Sequence, residues 1–189
     1  MTHTINVYGA KGGVGTSTVA ALLAAIAYKD GRNVLLVTDG SKDAASALGV
    51  HEPGEDFVTV NPHFHVSQYV TDVDDDIVSV TKADIVVIDW ETEIPYLGAT
   101  APNETNVMVT TTDYLSIKRG TRKVGPDHRV VVVEKEHSCL TPTDAINAFG
   151  RPSTILKASG NAGIARQVDA GLILSRIPRT AEVLHELLP

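Results

Sequence analysis

The chain has 189 residues, of which 43% are hydrophobic and 21% charged, so its composition excludes a disordered chain and suffices for one domain with its own core. The formal net charge of -7 argues against unspecific capture of nucleic acid by the whole surface, although a local basic patch can still bind it. The single cysteine, Cys139, excludes an internal disulfide and fits a reducing compartment.

The N-terminal residues MTHTINVYGAKGG lack the basic and apolar regions of a signal peptide. The longest apolar run, at residues 19–28, is far shorter than a membrane span. The C-terminal AEVLHELLP is too short and acidic for a membrane-targeting helix. We therefore expect a cytoplasmic protein that is not attached to a membrane.

The first half of the chain alternates between strand-like and helix-like segments. A short apolar strand is predicted at residues 5–9, followed by an Ala- and Leu-rich helix that ends at Gly31. Residues 33–38 are apolar on both faces, as expected of a buried parallel strand. The remaining predicted elements are a short helix at 43–49, two weak strands (FVTV and FHVSQY), a short helix at 74–82, and the buried strand ADIVVID.

The second half repeats this alternation. Strands are predicted at residues 106–112 and 128–134, with a helix from Asp113 to about Lys123 between them. TPTDAINAFG predicts a helix with Thr141 as N-cap, Pro142 at its first position and Gly150 as C-cap. STILKA, a helix near residues 161–170, and AEVLHELL complete the chain.

Five or more strands separated by helices imply a parallel sheet covered on both faces. The sequence therefore predicts an α/β fold with a single doubly wound, mostly parallel sheet. Because no linker, repeat or low-complexity tract interrupts the chain, we expect one domain over residues 1–189.

The most informative motif is GAKGGVGTST, which lies between the first strand and the first helix. In such a sheet, backbone amides and the helix N-terminus converge there on phosphate. The motif departs from the P-loop pattern G-x-x-x-x-G-K-[ST], because Thr16 follows the last glycine and Lys11 lies upstream. Ser17 stands where a P-loop hydroxyl binds Mg²⁺. The predicted nucleotide-binding residues are Gly12, Gly13, Val14, Gly15, Thr16, Ser17 and Thr18.

Five segments follow one another in a recognisable order: KGGVG, VLLVTDGSKDAASALG, ADIVVIDWE, NVMVTTTDYLSIKRG and GNAGIARQVDAGLIL. Together they resemble the ParA/MinD-like deviant Walker A ATPases, whose loop reads KGGxGK[ST]. The resemblance implies the P-loop NTPase-like fold, binding of ATP or ADP with Mg²⁺, and a nucleotide-dependent homodimer. It also implies that Lys11 reaches the partner's phosphates and that hydrolysis resets the switch. Relatives move or position DNA, division machinery or secretion systems.

The resemblance assigns roles to individual residues. Lys11, Asp39 and Asp89 are the predicted catalytic residues, and Ser17 and Asp89 the predicted Mg²⁺ ligands. Alternatives remain open, since Asp89 can instead cap its strand and Asp39 can be an ordinary turn residue. Glu91 is either a further carboxylate near the metal or an exposed loop glutamate.

Departures from the family pattern bear on catalysis. Thr16 replaces the lysine after the last glycine, and the two acids of switch I fall near Thr38 and Gly40, with Asp39 between them. Many relatives carry an Asn-Arg pair beside the adenine of the nucleotide, and this chain has Glu134-Lys135-Glu136 there. Losing the one charge-assisted contact of that lysine with the phosphates weakens the free energy of nucleotide binding by about 1.5–3 kcal/mol. The affinity then falls roughly tenfold or somewhat more.

Hydrolysis is more sensitive than binding, because phosphoryl transfer depends on electrostatic stabilisation and on positioning of the water. We therefore expect a nucleotide-binding dimerisation switch for partitioning or positioning of DNA or another cargo, with slow or absent hydrolysis. The alternative is a pseudo-ATPase, a regulatory protein that retains the fold and pairs with a protein partner or an intact relative.

Other charged and metal-ligating residues are given their ordinary roles. The basic residues of the helix at 113–123 share one side of that helix. They form either a contact with DNA phosphates or, as we favour, a solvated face. These residues are Lys118, Arg119, Arg122 and Lys123, with Arg129 nearby. His63 and His65 alternate on one strand but lack a third metal ligand in sequence. Cys139 is interpreted as a plain thiol, and the acids at 72–76 as a helix start.

Overall fold

The computed structural model describes residues 1–38, 43–50, 58–68, 75–90, 100–157 and 162–189. Its strands are β1 (His3–Gly9), β2 (Val34–Thr38), β3 (Val58–Asn61), β4 (Phe64–Ser67), β5 (Ile85–Asp89), β6 (Glu104–Thr111), β7 (Arg129–Glu134) and β8 (Thr154–Lys157). Its α-helices are α1 (Thr16–Lys29), α2 (Asp43–Ala47), α3 (Asp75–Thr81), α4 (Tyr114–Lys123), α5 (Pro142–Phe149) and α6 (Ala162–Asp169), and a 3₁₀ helix covers Arg179–Leu187.

These strands form one sheet in the order β3-β4-β2-β5-β1-β6-β7-β8. Every neighbouring pair is parallel except β3 and β4. Those two strands are antiparallel because only two residues connect them, and a parallel pair needs a crossover of a dozen residues or more. The α/β fold class and the mostly parallel sheet are thus confirmed.

Helices cover both faces of the sheet. On one face, α1 packs with α2, α6 and the 3₁₀ helix in a cluster that includes Ile5 and Val7 of β1. On the other face, Tyr8 and Met108 pack with Phe149 of α5. Helix α1 is apolar all round because it lies between the sheet and these neighbours, and residues 19–27 are at most 5% exposed.

Helix α5 has the predicted ends. The Thr141 side chain accepts a hydrogen bond from the Asp144 amide, and the Asp144 carboxylate accepts one from the Thr141 amide, which is a capping box. Pro142 is the first helical residue, and Gly150 caps the C-terminus with φ of 62°. These local signals set where the helix begins and ends, and its Ala145 and Phe149 pack in the core.

The chain ends in the 3₁₀ helix, whose Leu184 and Leu187 are buried against the α1 side of the sheet. Within the described residues, none of the helices has the length and hydropathy needed to cross a membrane.

Candidate nucleotide site

The glycine-rich loop connects β1 to α1 at the carboxyl edge of the sheet. Gly13 and Gly15 have φ of 73° and 93°, values that favour glycine because a Cβ is strained there. Val14 is buried beneath the loop, and the Ala10 amide donates to the Val109 carbonyl of β6 at 2.8 Å. The loop is therefore anchored at both ends around the start of α1, where unpaired amides and the helix dipole attract anions.

The loop opens onto a cleft with two neighbouring compartments, which share Gly13, Gly15, Thr18, Val168 and Asp169 in their linings. The first, of about 710 Å³, lies between the loop, α2 and the end of α6. Its lining comprises Gly12, Gly13, Gly15, Thr16, Ser17, Thr18, Asp43, Ser46, Ala47, Val168, Asp169, Ala170 and Gly171. Six of the seven predicted nucleotide-binding residues thus line this compartment, and the seventh, Val14, lines the other.

The second compartment, of about 480 Å³, extends from the loop towards the ends of β7 and β8. Its apolar lining consists of Val14, Val133, Leu156, Ile164, Ala165 and Val168. Glu134, Lys135 and Glu136 line the same compartment. Together the compartments offer amide donors at one end and an apolar slot for a heterocycle at the other, within the size range of small-molecule sites.

Lys11 is held within its own chain. Its Nζ lies 3.6 Å from Oδ2 of Asp113, the N-cap of α4, whose Oδ1 accepts from the Ser116 amide at 2.9 Å. Burial raises the pKa of Asp113, but hydrogen bonds from Thr111 and Ser116 and the charge of Lys11 outweigh it and hold that pKa at about 2. The carboxylate is therefore charged at neutral pH, and Lys11 has an ionic partner in the described structure.

Asp89 ends β5 and is completely buried, next to Thr38 of β2 in the sheet register. It does not line either compartment of the cleft, whereas Ser17 does. Carboxylate and hydroxyl oxygens are the ligands that Mg²⁺ prefers, so the donor set fits the ion. Asp39 and Glu91 lie outside the described residues.

A buried polar network behind the site was not foreseen from the sequence. Trp90, directly after Asp89, donates from Nε1 to Asn6 Oδ1 at 2.9 Å, and Asn6 Nδ2 donates to Asn106 Oδ1 at 2.9 Å. Asn106 Nδ2 then lies 3.4 Å from His128 Nε2, and Tyr8 OH lies 2.6 Å from His128 Nδ1. The signal was an asparagine next to an apolar run in each of two predicted buried strands (INVYG and NVMVTTT), since a buried amide needs hydrogen-bond partners.

The basic face and the histidines have unremarkable surroundings. Lys118 and Arg119 are exposed, and Lys118 Nζ lies 5.7 Å from the centroid of the Tyr114 ring. His63 Nδ1 is 2.6 Å from Asn33 Oδ1. No group of three His, Cys, Asp or Glu side chains in the described part of the chain could hold a metal ion.

No protein-family model matches the sequence, and no curated protein matches it. Solved structures do match along nearly the whole chain. The cell division ATPase MinD of Pyrococcus furiosus has a TM-score of 0.74 at 18% identity, covering 99% of this chain and 100% of that one. The ParA family ATPase of Chlorobium tepidum TLS has a TM-score of 0.72 at 15% identity, covering 100% and 98%. A putative plasmid partition protein of Borrelia burgdorferi B31, bound to AMPPNP, has a TM-score of 0.64 at 15% identity, covering 100% and 97%. The likeness at these identities establishes the ParA/MinD fold alone.

Proposed function

From the ParA/MinD fold and the shape of the loop, we propose that this protein binds a nucleotide, ATP or ADP, in the cleft above α1. The nucleotide state then controls association with a second copy, in partitioning or positioning of DNA or another cargo. Hydrolysis is slow or absent.

The observation that carries the proposal is the loop itself. Positive φ angles at Gly13 and Gly15 wrap the backbone around the N-terminus of α1, and the cleft continues from there into an apolar compartment. Phosphates fit the amide-rich end and a base fits the apolar end. One solved structure with this fold holds AMPPNP, a triphosphate analogue.

The side chains favour binding over turnover. Thr16 supplies a hydroxyl where a P-loop lysine supplies a charge, and Lys11 is engaged by Asp113. Ser17 and Asp89 would hold Mg²⁺, which neutralises phosphate charge when bound. Backbone amides act whatever the side chains are, so phosphate binding survives, whereas the charge that stabilises phosphoryl transfer is reduced.

Dimerisation is proposed on the face that carries Lys11. Tyr114 and Leu115, next to the partner of Lys11, are 67% and 46% exposed. Exposed large apolar side chains beside a cation that can exchange partners suit a second copy of the chain. Sedimentation with and without AMPPNP tests this: a shift to the dimer supports the switch, and an unchanged monomer contradicts it.

Nucleotide binding is tested by calorimetry and thermal shift with ATP, ADP and GTP, each with and without Mg²⁺. Gly13→Ala should abolish the stabilisation by nucleotide, because a Cβ strains the left-handed backbone of the loop whose amides would hold the phosphates. Gly31→Ala is the matched control, since Gly31 also has positive φ (82°) and open space around it but lies at the far end of α1. Failure of every nucleotide to alter the melting temperature of the unaltered protein contradicts the proposal.

A pseudo-ATPase that retains the fold as a regulatory or interaction protein is the second candidate. It is favoured by the Lys11–Asp113 ion pair and by the neutral Thr16 in the loop. Mg²⁺-dependent ATP hydrolysis that Asp89→Ala abolishes would exclude this candidate. Nucleotide-independent capture of an intact relative would support it.

A further inference from the structure

A further cavity lies at the amino edge of the sheet, opposite the edge that carries the glycine-rich loop. It is formed where the chain enters β7 and β8, and its volume of about 520 Å³ falls within the range of small-molecule sites. We call it the amino-edge cavity. Its lining shares no residue with either compartment of the nucleotide cleft and comprises Pro126, Asp127, His128, Arg129, Gly150, Arg151 and Pro152.

The guanidinium of Arg151 is held in this cavity by backbone carbonyl groups. Its Nη1 donates to the carbonyls of Gly125 at 2.7 Å, Pro126 at 3.1 Å and His128 at 3.2 Å. Its Nε and Nη2 make no hydrogen bond within the described residues, so their N–H donors remain available to a ligand. These two nitrogens form the edge of a guanidinium that binds both oxygens of a carboxylate. Because the carbonyls already fix the side chain, a ligand loses less conformational entropy when it binds there.

The charges of the lining favour a ligand with one negative charge. Arg129 adds a second guanidinium and Asp127 adds a carboxylate, so two cations face one anion. Neither Arg129 nor Arg151 forms an ion pair with another described residue. A carboxylate balances the remaining positive charge, whereas Asp127 would repel a phosphate dianion more strongly. The exposed rings of Pro126 and Pro152 add apolar surface to the same cavity.

We propose that the amino-edge cavity binds a small monocarboxylate with a short apolar body. The carboxylate accepts hydrogen bonds from Nε and Nη2 of Arg151, and Arg129 supplies the second positive charge. The apolar body packs against the rings of Pro126 and Pro152. This site is independent of the proposed nucleotide site, because different residues at opposite edges of the sheet line the two.

The first test titrates the ¹⁵N-labelled full chain with butyrate, followed by the amide resonances at constant ionic strength. Butyrate should shift the amides of Asp127, Arg129 and Arg151 until they saturate, whereas butyramide, its neutral analogue, should not. Inorganic phosphate should shift these amides less, and any shift that it causes at residues 12–18 reports the nucleotide site instead. No saturable shift with butyrate overturns the proposal, as does an equal response to butyramide or to phosphate at these three amides. The proposed function is unaffected by any of these results at the amino edge.

The second test separates a binding role of Arg151 from a structural one. In Arg151→Lys the ammonium has one N–H donor for each of the three carbonyls, so the melting temperature should be kept while no donor is left for the ligand. Butyrate should then bind about tenfold more weakly, although the charge is unchanged. Arg129→Gln should weaken binding roughly 3- to 10-fold, and Arg119→Gln, an exposed control on α4, by less than about twofold. Unchanged butyrate affinity in Arg151→Lys overturns the proposal. If that variant melts at a lower temperature, unchanged affinity in Arg129→Gln overturns it instead.

Discussion

Single side chains decide which part of phosphate chemistry the loop retains. The backbone of the loop is set by glycines with positive φ, but the charge that normally follows the last glycine is replaced by Thr16, which is only 6% exposed. Lys11 pairs with Asp113, and Thr38, a neutral residue, pairs with Asp89 in the sheet register. These residues leave the donors that bind phosphate in place and reduce the charge available for its transfer.

Restoring the missing cation should restore affinity. Thr16 lines the phosphate end of the cleft, so the ammonium of Thr16→Lys can extend into it. We expect nucleotide to bind about tenfold or more tightly, from a charge-assisted contact of about 1.5–3 kcal/mol. Isothermal titration with ADP and ATP measures the change. Thr16→Met, of similar length but neutral, should show no gain, and an equal gain in both variants would refute the electrostatic explanation.

His128 should make the fold sensitive to acid. Burial, and secondarily the Arg151 charge, lower the pKa of His128 below its ordinary value of 6.5, although Asp127 raises it. The neutral imidazole is therefore favoured in the folded state, so its contribution to stability is full above about pH 6.5 and is lost as the pH falls below that value. Protonation would also place N–H donors towards Asn106.

We expect the free energy of unfolding to fall by up to about 1 kcal/mol per pH unit below pH 6.5, measured by urea unfolding between pH 7.5 and 5.5. The loss should be smaller in His128→Gln, although the lowered pKa values of His3 and His65 leave a residual slope. An imidazole resonance of His128 that titrates at or above pH 6.5 by NMR would contradict this explanation.

At the scale of elements, packing overrides helix propensity in α4. Gly120 lies inside this helix, where glycine is less favourable than alanine by about 1 kcal/mol. A Cβ there would come within 2.9 Å of Phe149 Cζ and 3.1 Å of Met108 Cε. The glycine is therefore needed for α4 to approach α5 and β6 closely.

Helix propensity predicts that Gly120→Ala stabilises the fold, whereas packing predicts that it destabilises the fold. We expect a net destabilisation of about 1–3 kcal/mol from overpacking, measured as the midpoint of urea unfolding. Thr121→Ala, on the exposed side of the same helix, should change stability by less than about 0.5 kcal/mol. If Gly120→Ala proves more stable than the unaltered protein, the packing argument is wrong.

At the scale of the whole molecule, the cleft is shaped by the docking of α2 against the end of α6. The contact is made between two glycines with positive φ, Gly49 and Gly171. A Cβ at Gly171 would lie 2.7 Å from Gly49 Cα, and the Ile173 amide donates to the Ala47 carbonyl at 3.3 Å. The wall of the phosphate compartment thus depends on backbone-to-backbone contact between segments distant in sequence.

Gly171→Ala should therefore damage stability and affinity together. We expect the free energy of unfolding to fall by more than about 2 kcal/mol, the sum of left-handed strain and a backbone clash. ADP should also bind more weakly, because the compartment widens. Gly150→Ala is the matched control, because Gly150 has φ of 62° with nothing within 4 Å of an added Cβ. Calorimetry measures the ADP affinity of both variants, and thermal unfolding measures their stability. Because Gly150→Ala adds only left-handed strain, the difference between the variants gives the effect of the clash. Equal losses in the two variants would show that the contact is unimportant.

The sequence alone determined the features that depend on neighbouring residues. Apolar runs on both faces predicted the buried strands, Thr141 and Gly150 predicted the ends of α5, and KGGVG after a first strand predicted the loop. These signals are local, because strand periodicity, capping and glycine dihedrals act over a few residues. The alternation of elements was sufficient for the α/β fold class, since parallel strands require crossover helices.

Only the tertiary structure decided which distant residues meet. The pairing of Lys11 with Asp113 requires β1 and β6 to be neighbours, and the position of Thr38 beside Asp89 depends on the register of β2 against β5. Strand order and register follow from the packing of the whole chain rather than from local preference. For that reason the loop was predictable from ten residues, whereas the ion-pair partner of its lysine and the residue beside Thr38 in the sheet were not.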